Sequence, residues 1–193
     1  MKPSDELKKD IVFAATMRGR AMTFHSTWGL FSPRQIDDGS YRLVETVELQ
    51  PNDVTLDLGC GYGAIGLPLA RECPDGAVHL VDRDFLAVEY ARRNAELAGL
   101  GNCHAYLSNA FSHVPEGLAF DNVVSNLPAK VGKELLWIIL QDAHARLKPG
   151  GQLVVVTIAE LRQFIKRNFV NVFGNYRKVK QGKSYCVARA VKE

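Results

Sequence analysis

Residues 57–66 read DLGCGYGAIG, from Asp57 to Gly66, and four of the ten are glycines. The apolar run VTL precedes this stretch, and LPLARE, a segment with helix-forming character, follows it. A strand that feeds a glycine-rich turn at the mouth of a helix exposes backbone N–H groups without side chains, so a ligand can approach the main chain. Two ligand classes use such a turn. Gly61, Gly63 and Gly66 satisfy GxGxxG, the spacing for a dinucleotide. The alternative is a nucleoside that carries an amino-acid group in place of a pyrophosphate.

Asp57 bears on that choice. At the carboxyl end of the first strand of the α/β core, where open α/β sheets bind ligands, a carboxylate repels a pyrophosphate and attracts an ammonium group. Asp82, at the end of AVHLVD, is placed to accept the two hydroxyls of a ribose, which either ligand would bring. Asp84 reads as a helix N-cap. Asn109, in LSNAF, offers an amide to an adenine edge.

Working outward, short Val/Ile/Leu-rich runs recur with helix-length segments between them: VTLDL, AVHLVD, CHAYLSN, FDNVVSN and QLVVVTI. Apolar strands alternating with helices predict an α/β domain built on a parallel sheet covered on both faces. Helices are expected over Asp84–Gly99, over Lys133–Leu147 up to the breaker KPGG, and from Ala159 to Phe173. Tyr176–Lys180 and Ser184–Val191, joined by the QGK turn, read as a hairpin. The residues before Gln50 form a less regular extension, with WGLFSPRQIDDG loop-like.

The length of 193 residues predicts one domain over 1–193, with 1–49 an extension bearing a lid-like loop and 50–193 the core. The 47% hydrophobic and 23% charged composition is that of a folded soluble domain. The opening MKPSDELKKD has no apolar signal region and no segment approaches about 18 uninterrupted apolar residues, so a cytoplasmic protein is expected. Cys60, Cys73, Cys103 and Cys186 are scattered and no His is spaced for zinc, so neither disulfides nor a metal site is expected. The formal charge of +3 is uneven: residues 160–193 hold nine Lys/Arg against two Glu, and residues 1–34 hold six against three acids. Basic ends on an acidic middle would suit a polyanion such as RNA, or are simply solvated faces.

DLGCGYGAIG followed by VDRD, SNLP and LKPGG resembles the class I S-adenosylmethionine-dependent methyltransferases. FHSTWGLFSPRQIDDGSYRLVE (Phe24–Glu45) and NLPAKVGKELL are similar to the small-domain methyltransferase family that includes ribosomal RNA guanine-N2 methyltransferases. The resemblance implies a Rossmann-like, doubly wound seven-stranded sheet, mostly parallel with an antiparallel last strand. It implies S-adenosyl-L-methionine as cofactor, held by Asp57, Gly59, Cys60, Gly61 and Gly63 at the methionine part. Asp82 and Arg83 would hold the ribose, Asn109 and Ala110 would lie at the adenine, and Asn126 would border the reacting end. Family members usually carry Asp where Asn109 stands.

The family's catalytic signature is Asn-Pro-Pro followed by an aromatic or aliphatic residue, and here it reads Asn126-Leu127-Pro128-Ala129. The resemblance implies that the Asn126 oxygen and the Leu127 carbonyl accept the two hydrogens of a planar –NH₂ group, with Pro128 completing the turn. The missing aromatic leaves base stacking to Phe24, Trp28 or Phe31, with Arg34 beside them, unless those aromatics only pack. Three functions follow as expectations: an amino-methyltransferase acting on guanine or adenine in RNA, a nicotinamide-dependent oxidoreductase, and a cofactor-binding module without catalysis. A protein glutamine or a small metabolite is a further possible acceptor.

Overall fold

A computed structural model describes residues 10–128 and 131–193. The chain begins with strands β1 (Ile11–Met17) and β2 (Arg20–Ser26), an antiparallel hairpin in which Met17 pairs with Arg20. Its two-residue turn places both Arg18 (φ 49°) and Gly19 (φ 72°) in the left-handed region, the geometry that matches strand twist in tight hairpins. Helix α1 (Asp38–Thr46) follows. The segment expected to be irregular is therefore a hairpin and a helix. In IVFAATM the exposed positions include Val12 and Ala14, so the period of two is hidden in the letters.

The core then runs β3 (Val54–Leu58), α2 (Gly66–Ala70), β4 (Ala77–Asp82), α3 (Phe85–Leu97), β5 (Cys103–Leu107), β6 (Phe120–Asn126) and α4 (Lys133–Arg146). It ends with β7 (Leu147–Ile158), a 3₁₀ turn (Ala159–Leu161), α5 (Arg162–Phe173), β8 (Arg177–Gln181) and β9 (Tyr185–Val191). The seven-stranded sheet has the order β5-β4-β3-β6-β7-β9-β8. β3 to β7 pair in parallel, and β9, the last strand in the chain, runs antiparallel between β7 and β8. This is the predicted Rossmann-like sheet.

Alternating side chains send the sheet's two faces into two cores. Leu56, Val123, Leu153 and Val155 pack with Leu136, Leu140 and Phe169 of α4 and α5. Val78, Leu80, Val124, Val154 and Val156 pack with α1, α2 and α3 and with Met22 and Phe24 of the hairpin. Burying one such Leu or Phe contributes about 1.5–3 kcal/mol, so the strands are held from both sides.

Local signals set most boundaries. Asp84 caps α3 by accepting from the Leu86 N–H at 2.9 Å, and Gly99 leaves the helix at φ 67°. Gly174 ends α5 at φ 74°. The KPGG segment differs from expectation: it does not separate a helix from a strand but lies inside the 12-residue β7. Gly150 turns left-handed there, the β6–β7 register shifts between Phe120 and Asn122, and the breaker residues make a bulge.

Candidate functional site

The strand order reverses between β3 and β6, and the carboxyl ends of the strands on either side of that point carry the predicted residues. Asp57, near the end of β3, is fully buried. Its Oδ2 accepts from the Gly66 N–H at 2.7 Å, while Oδ1 has no partner among the described residues. Burial pushes its carboxyl up to about 7, opposed by the Gly66 hydrogen bond and reinforced by the negative charge of Asp82. A buried polar atom left without a partner costs about 1–3 kcal/mol, so this oxygen suits a donor brought by a ligand.

The glycine loop itself corrects one expectation. Its amides are not free: the Gly59 and Cys60 N–H groups both donate to the Val81 carbonyl (2.8 and 3.0 Å), and Gly61 donates to Asp82 Oδ2 (3.0 Å). Gly63 donates to the Cys60 carbonyl at 2.9 Å. The loop offers open space instead, because a Cβ added at Gly59 (φ 77°) or Gly61 (φ 56°) would meet nothing within 4 Å. Open space at Gly59 and Gly61, with the loop amides turned inward and the Asp82 and Asp57 carboxylates bonded to the Gly61 and Gly66 N–H groups, suits a cation and gives a pyrophosphate few donors. Cys60 is buried, with its thiol donating to the Gly61 carbonyl at 3.4 Å and pushed well up by burial, so it shapes the loop rather than reacting.

Asp82 is half-buried, and each carboxylate oxygen accepts one N–H, Oδ1 from Asp84 and Oδ2 from Gly61, both at 3.0 Å. Ionised carboxylates have about four lone-pair sites, so acceptors remain for a diol. Arg83 is exposed. Past β5, Ser108 Oγ donates to the Ala110 carbonyl at 2.6 Å and accepts from the His113 N–H at 3.1 Å. That turn holds Ala110 at φ 51° and leaves Asn109 exposed at the same sheet edge.

On the other side of the switch point, Asn126 closes β6, two residues after Val124, the partner of Asp57. Its Nδ2 donates to Ser40 Oγ at 3.0 Å and to the Asp37 carboxylate at 3.3 and 3.4 Å. Its Oδ1 accepts from none of the described residues. Leu127 is anchored by its N–H to the Val156 carbonyl (3.0 Å) and by its buried side chain, and Pro128 is exposed. Ala129 lies outside the described residues.

Sequence reasoning missed Asp37 and Ser40. Asp37 is the N-cap of α1, where Oδ2 accepts from the Gly39 and Ser40 N–H groups at 3.0 and 3.1 Å. The signal was an Asp ahead of the amphipathic run SYRLVE, masked by Gly39. That glycine is needed for close packing: a Cβ there would sit 3.1 Å from the Tyr185 ring and 3.2 Å from Val156.

The aromatics proposed at the substrate divide. Phe24 is not at the site: it lies in β2, fully buried against Phe13 and Tyr62. It points inward because β2 alternates and its buried positions face α3. Trp28 (39% exposed) and Phe31 (66%) do lie on the following loop, with the Arg34 guanidinium 4.5 Å from the Trp28 ring centroid. Tyr62, from the glycine loop, pins that loop by donating to the Ser32 and Gln35 carbonyls at 3.1 and 3.2 Å. Burial pushes its phenol above the ordinary range, and the charge of Asp37 adds to the shift.

The sheet order, with a glycine loop after β3 and polar residues at the strand ends on both sides of the switch point, is that of the class I methyltransferases. The chain belongs to the methyltransferase small domain family, whose model matches residues 21–189. Among relatives, it is 32% identical to the uncharacterized protein YbxB of Bacillus subtilis, over 99% of this chain and 96% of that protein. It is 31% identical to ribosomal RNA large subunit methyltransferase G of Shewanella amazonensis, over 84% of this chain and 44% of that one. A similar solved structure is the Thermus thermophilus 16S rRNA N2 G1207 methyltransferase RsmC in complex with AdoMet and guanosine. It has a TM-score of 0.85 and 29% identity, covering 95% of this chain and 51% of that one. The chain thus spans about half the length of the named ribosomal RNA methyltransferases it matches. No described helix is long and apolar enough to cross a membrane.

Proposed function

We propose that this protein transfers a methyl group from S-adenosylmethionine to an exocyclic amino nitrogen of a base in RNA, foremost guanine N2 in ribosomal RNA, with adenine N6 the next candidate. The observation that carries the reading is Asn126: its –NH₂ is occupied by Ser40 and Asp37, and its oxygen accepts from none of the described residues. The two similar methyltransferases, one acting on large-subunit RNA and one on guanine N2 of 16S RNA, support the acceptor class.

The residues present fit the cofactor. Asp57 Oδ1 would take its ammonium, the hollow at Gly59, Cys60, Gly61 and Gly63 its methionine part, and Asp82 with Arg83 its ribose. Asn109 and Ala110 would border its adenine. When bound, it supplies an electrophilic methyl on a sulfonium with a good leaving group. Asn126 Oδ1 and the Leu127 carbonyl each accept one hydrogen of the acceptor –NH₂, which fixes the plane of the group and aims its lone pair. Such positioning supplies about 7–11 kcal/mol in favourable cases, so no strong base is required. Trp28 and Phe31 provide stacking surface for an unpaired base, worth about 1–3 kcal/mol per base, and Arg34 a phosphate contact.

In this reading 1–193 work as one cytoplasmic unit, with the described part of the extension 1–49, residues 10–49, packing on the core 50–193. The exposed Arg177, Lys178, Lys180 and Lys183 steer RNA to it. The test is transfer of labelled methyl into fractionated RNA and protein, with the labelled nucleoside identified. N126A is expected to lower kcat about 100-fold while cofactor affinity by calorimetry stays put. Incorporation by neither protein would favour a binding module, equal incorporation by both would leave Asn126 without its catalytic role, and label in protein glutamine or a metabolite would replace the RNA acceptor.

A further inference from the structure

We infer that Asp37 and Ser40 are positioning residues that clamp the Asn126 amide in one orientation, and so select an acceptor that donates two hydrogens. The inference rests on the reading of Asn126 given above and assigns the part that sets its polarity. An Asn side chain is nearly symmetric in shape: turned over, it presents –NH₂ where the oxygen was. At the end of β6 nothing in the strand itself prefers one face. The preference comes from α1, where the first turn sets two acceptors side by side, the Ser40 hydroxyl at 3.0 Å and the Asp37 carboxylate at 3.3–3.4 Å from Nδ2. A turned-over amide would set its oxygen against the Asp37 carboxylate, acceptor against acceptor.

Asp37 can do this because its carboxylate serves two tasks. Oδ2 accepts from the Gly39 and Ser40 N–H groups and so caps α1, and both oxygens, Oδ2 at 3.3 Å and Oδ1 at 3.4 Å, accept from Asn126 Nδ2. Ser40 is buried, which keeps its hydroxyl in place. The clamp therefore joins a helix cap to the reacting end of a strand 86 to 89 residues away in sequence.

D37N separates the two tasks. Asn caps helices about as well as Asp, so its oxygen retains the N–H groups of residues 39 and 40. Its –NH₂ then takes the position of Oδ1, 3.4 Å from Asn126 Nδ2, donor against donor, and leaves the capping oxygen at 3.3 Å as the one acceptor at residue 37, so the Asn126 amide is no longer held in one orientation. The expected result is a kcat at least about tenfold lower with RNA KM, cofactor Kd and melting temperature close to wild type. S40A, which removes one of two acceptors, is expected to fall between wild type and D37N.

A second readout is independent of turnover. In protein labelled with ¹⁵N-asparagine, the Asn126 side-chain –NH₂ signals, identified by their loss in N126A, are expected to show slow exchange with water. D37N is expected to shift them and remove that protection. Wild-type kcat in D37N, or Asn126 amide protons that exchange at the rate of a free side chain in wild type, would overturn the clamp. If wild type methylates no amino acceptor, the functional reading falls and takes the positioning role with it. That failure is told apart from failure of the clamp by the amide protection, which needs no turnover.

Discussion

At the scale of single residues, Asp57 and Asn126 each bring an oxygen without a partner among the described residues to one side of the switch point. Asp57 holds a carboxyl raised to about 7 from 3.8, because it is buried with one oxygen unpartnered. A raised acid binds its proton more tightly in the folded than in the unfolded chain. Its contribution to stability is therefore present below about pH 4 and is lost as pH climbs through about 7. An ammonium beside Asp57 favours the ionised form, so cofactor binding expels the proton at lower pH. Affinity for S-adenosylmethionine is expected to tighten roughly tenfold or more between about pH 5 and about pH 7. Calorimetry in buffers of different ionisation heats should register proton release, and D57N should bind weakly with no such slope. A flat profile in wild type would remove the ammonium from this position.

The sequence placed Asp57, Asp82 and Asn126 correctly at one sheet edge, because apolar strand runs end where these polar residues begin. It did not reveal that the loop amides turn inward, since Val81 O and Asp82 Oδ2 reach them only once β4 lies beside β3. Phe24 was misplaced for a related reason. An aromatic near a glycine-rich segment looks the same in the letters whether it faces solvent or a helix.

At the scale of elements, the amino-terminal hairpin is fastened by a buried polar residue. Asn94 of α3 accepts from the His25 N–H at 2.8 Å through Oδ1, and its Nδ2 donates to the His25 and Tyr62 carbonyls at 2.8 and 2.9 Å. One side chain thus ties β2 to α3 and to the glycine loop. N94A leaves those backbone groups without partners, at about 1–3 kcal/mol for each that stays dry. A lowered melting temperature is expected, with amide exchange accelerated in 11–26 before the parallel strands are affected. Uniform acceleration would show that the hairpin is not a separate unit of opening. The core helices were legible because caps and periodicity agree, as in α3. The hairpin and α1 were not, because their alternation is apolar on both faces and a packing glycine interrupts the helix.

For the molecule as a whole, charge is distributed against the site. Residues 160–193 carry nine Lys/Arg and two Glu, and four of the bases, Arg177, Lys178, Lys180 and Lys183, are exposed on β8 and its turn. β8 is an edge strand, where lysines also discourage pairing with another sheet. Reversing Lys178, Lys180 and Lys183 to Glu is expected to weaken RNA binding. It should flatten the plot of log affinity against log salt by up to about 0.7 per lost phosphate contact on a single strand. Cofactor affinity should not move. Unchanged RNA binding at low salt would assign these lysines to edge protection alone.

The position of β9 has a consequence for how the chain matures on the ribosome. Strand β9, synthesised after both of its neighbours, does not trim a border; it enters between β7 and β8 and pairs with both. A nascent chain halted before Tyr185 has β8 with no neighbour and β7 with a bare flank, so premature release yields a half-built sheet that proteases can recognise.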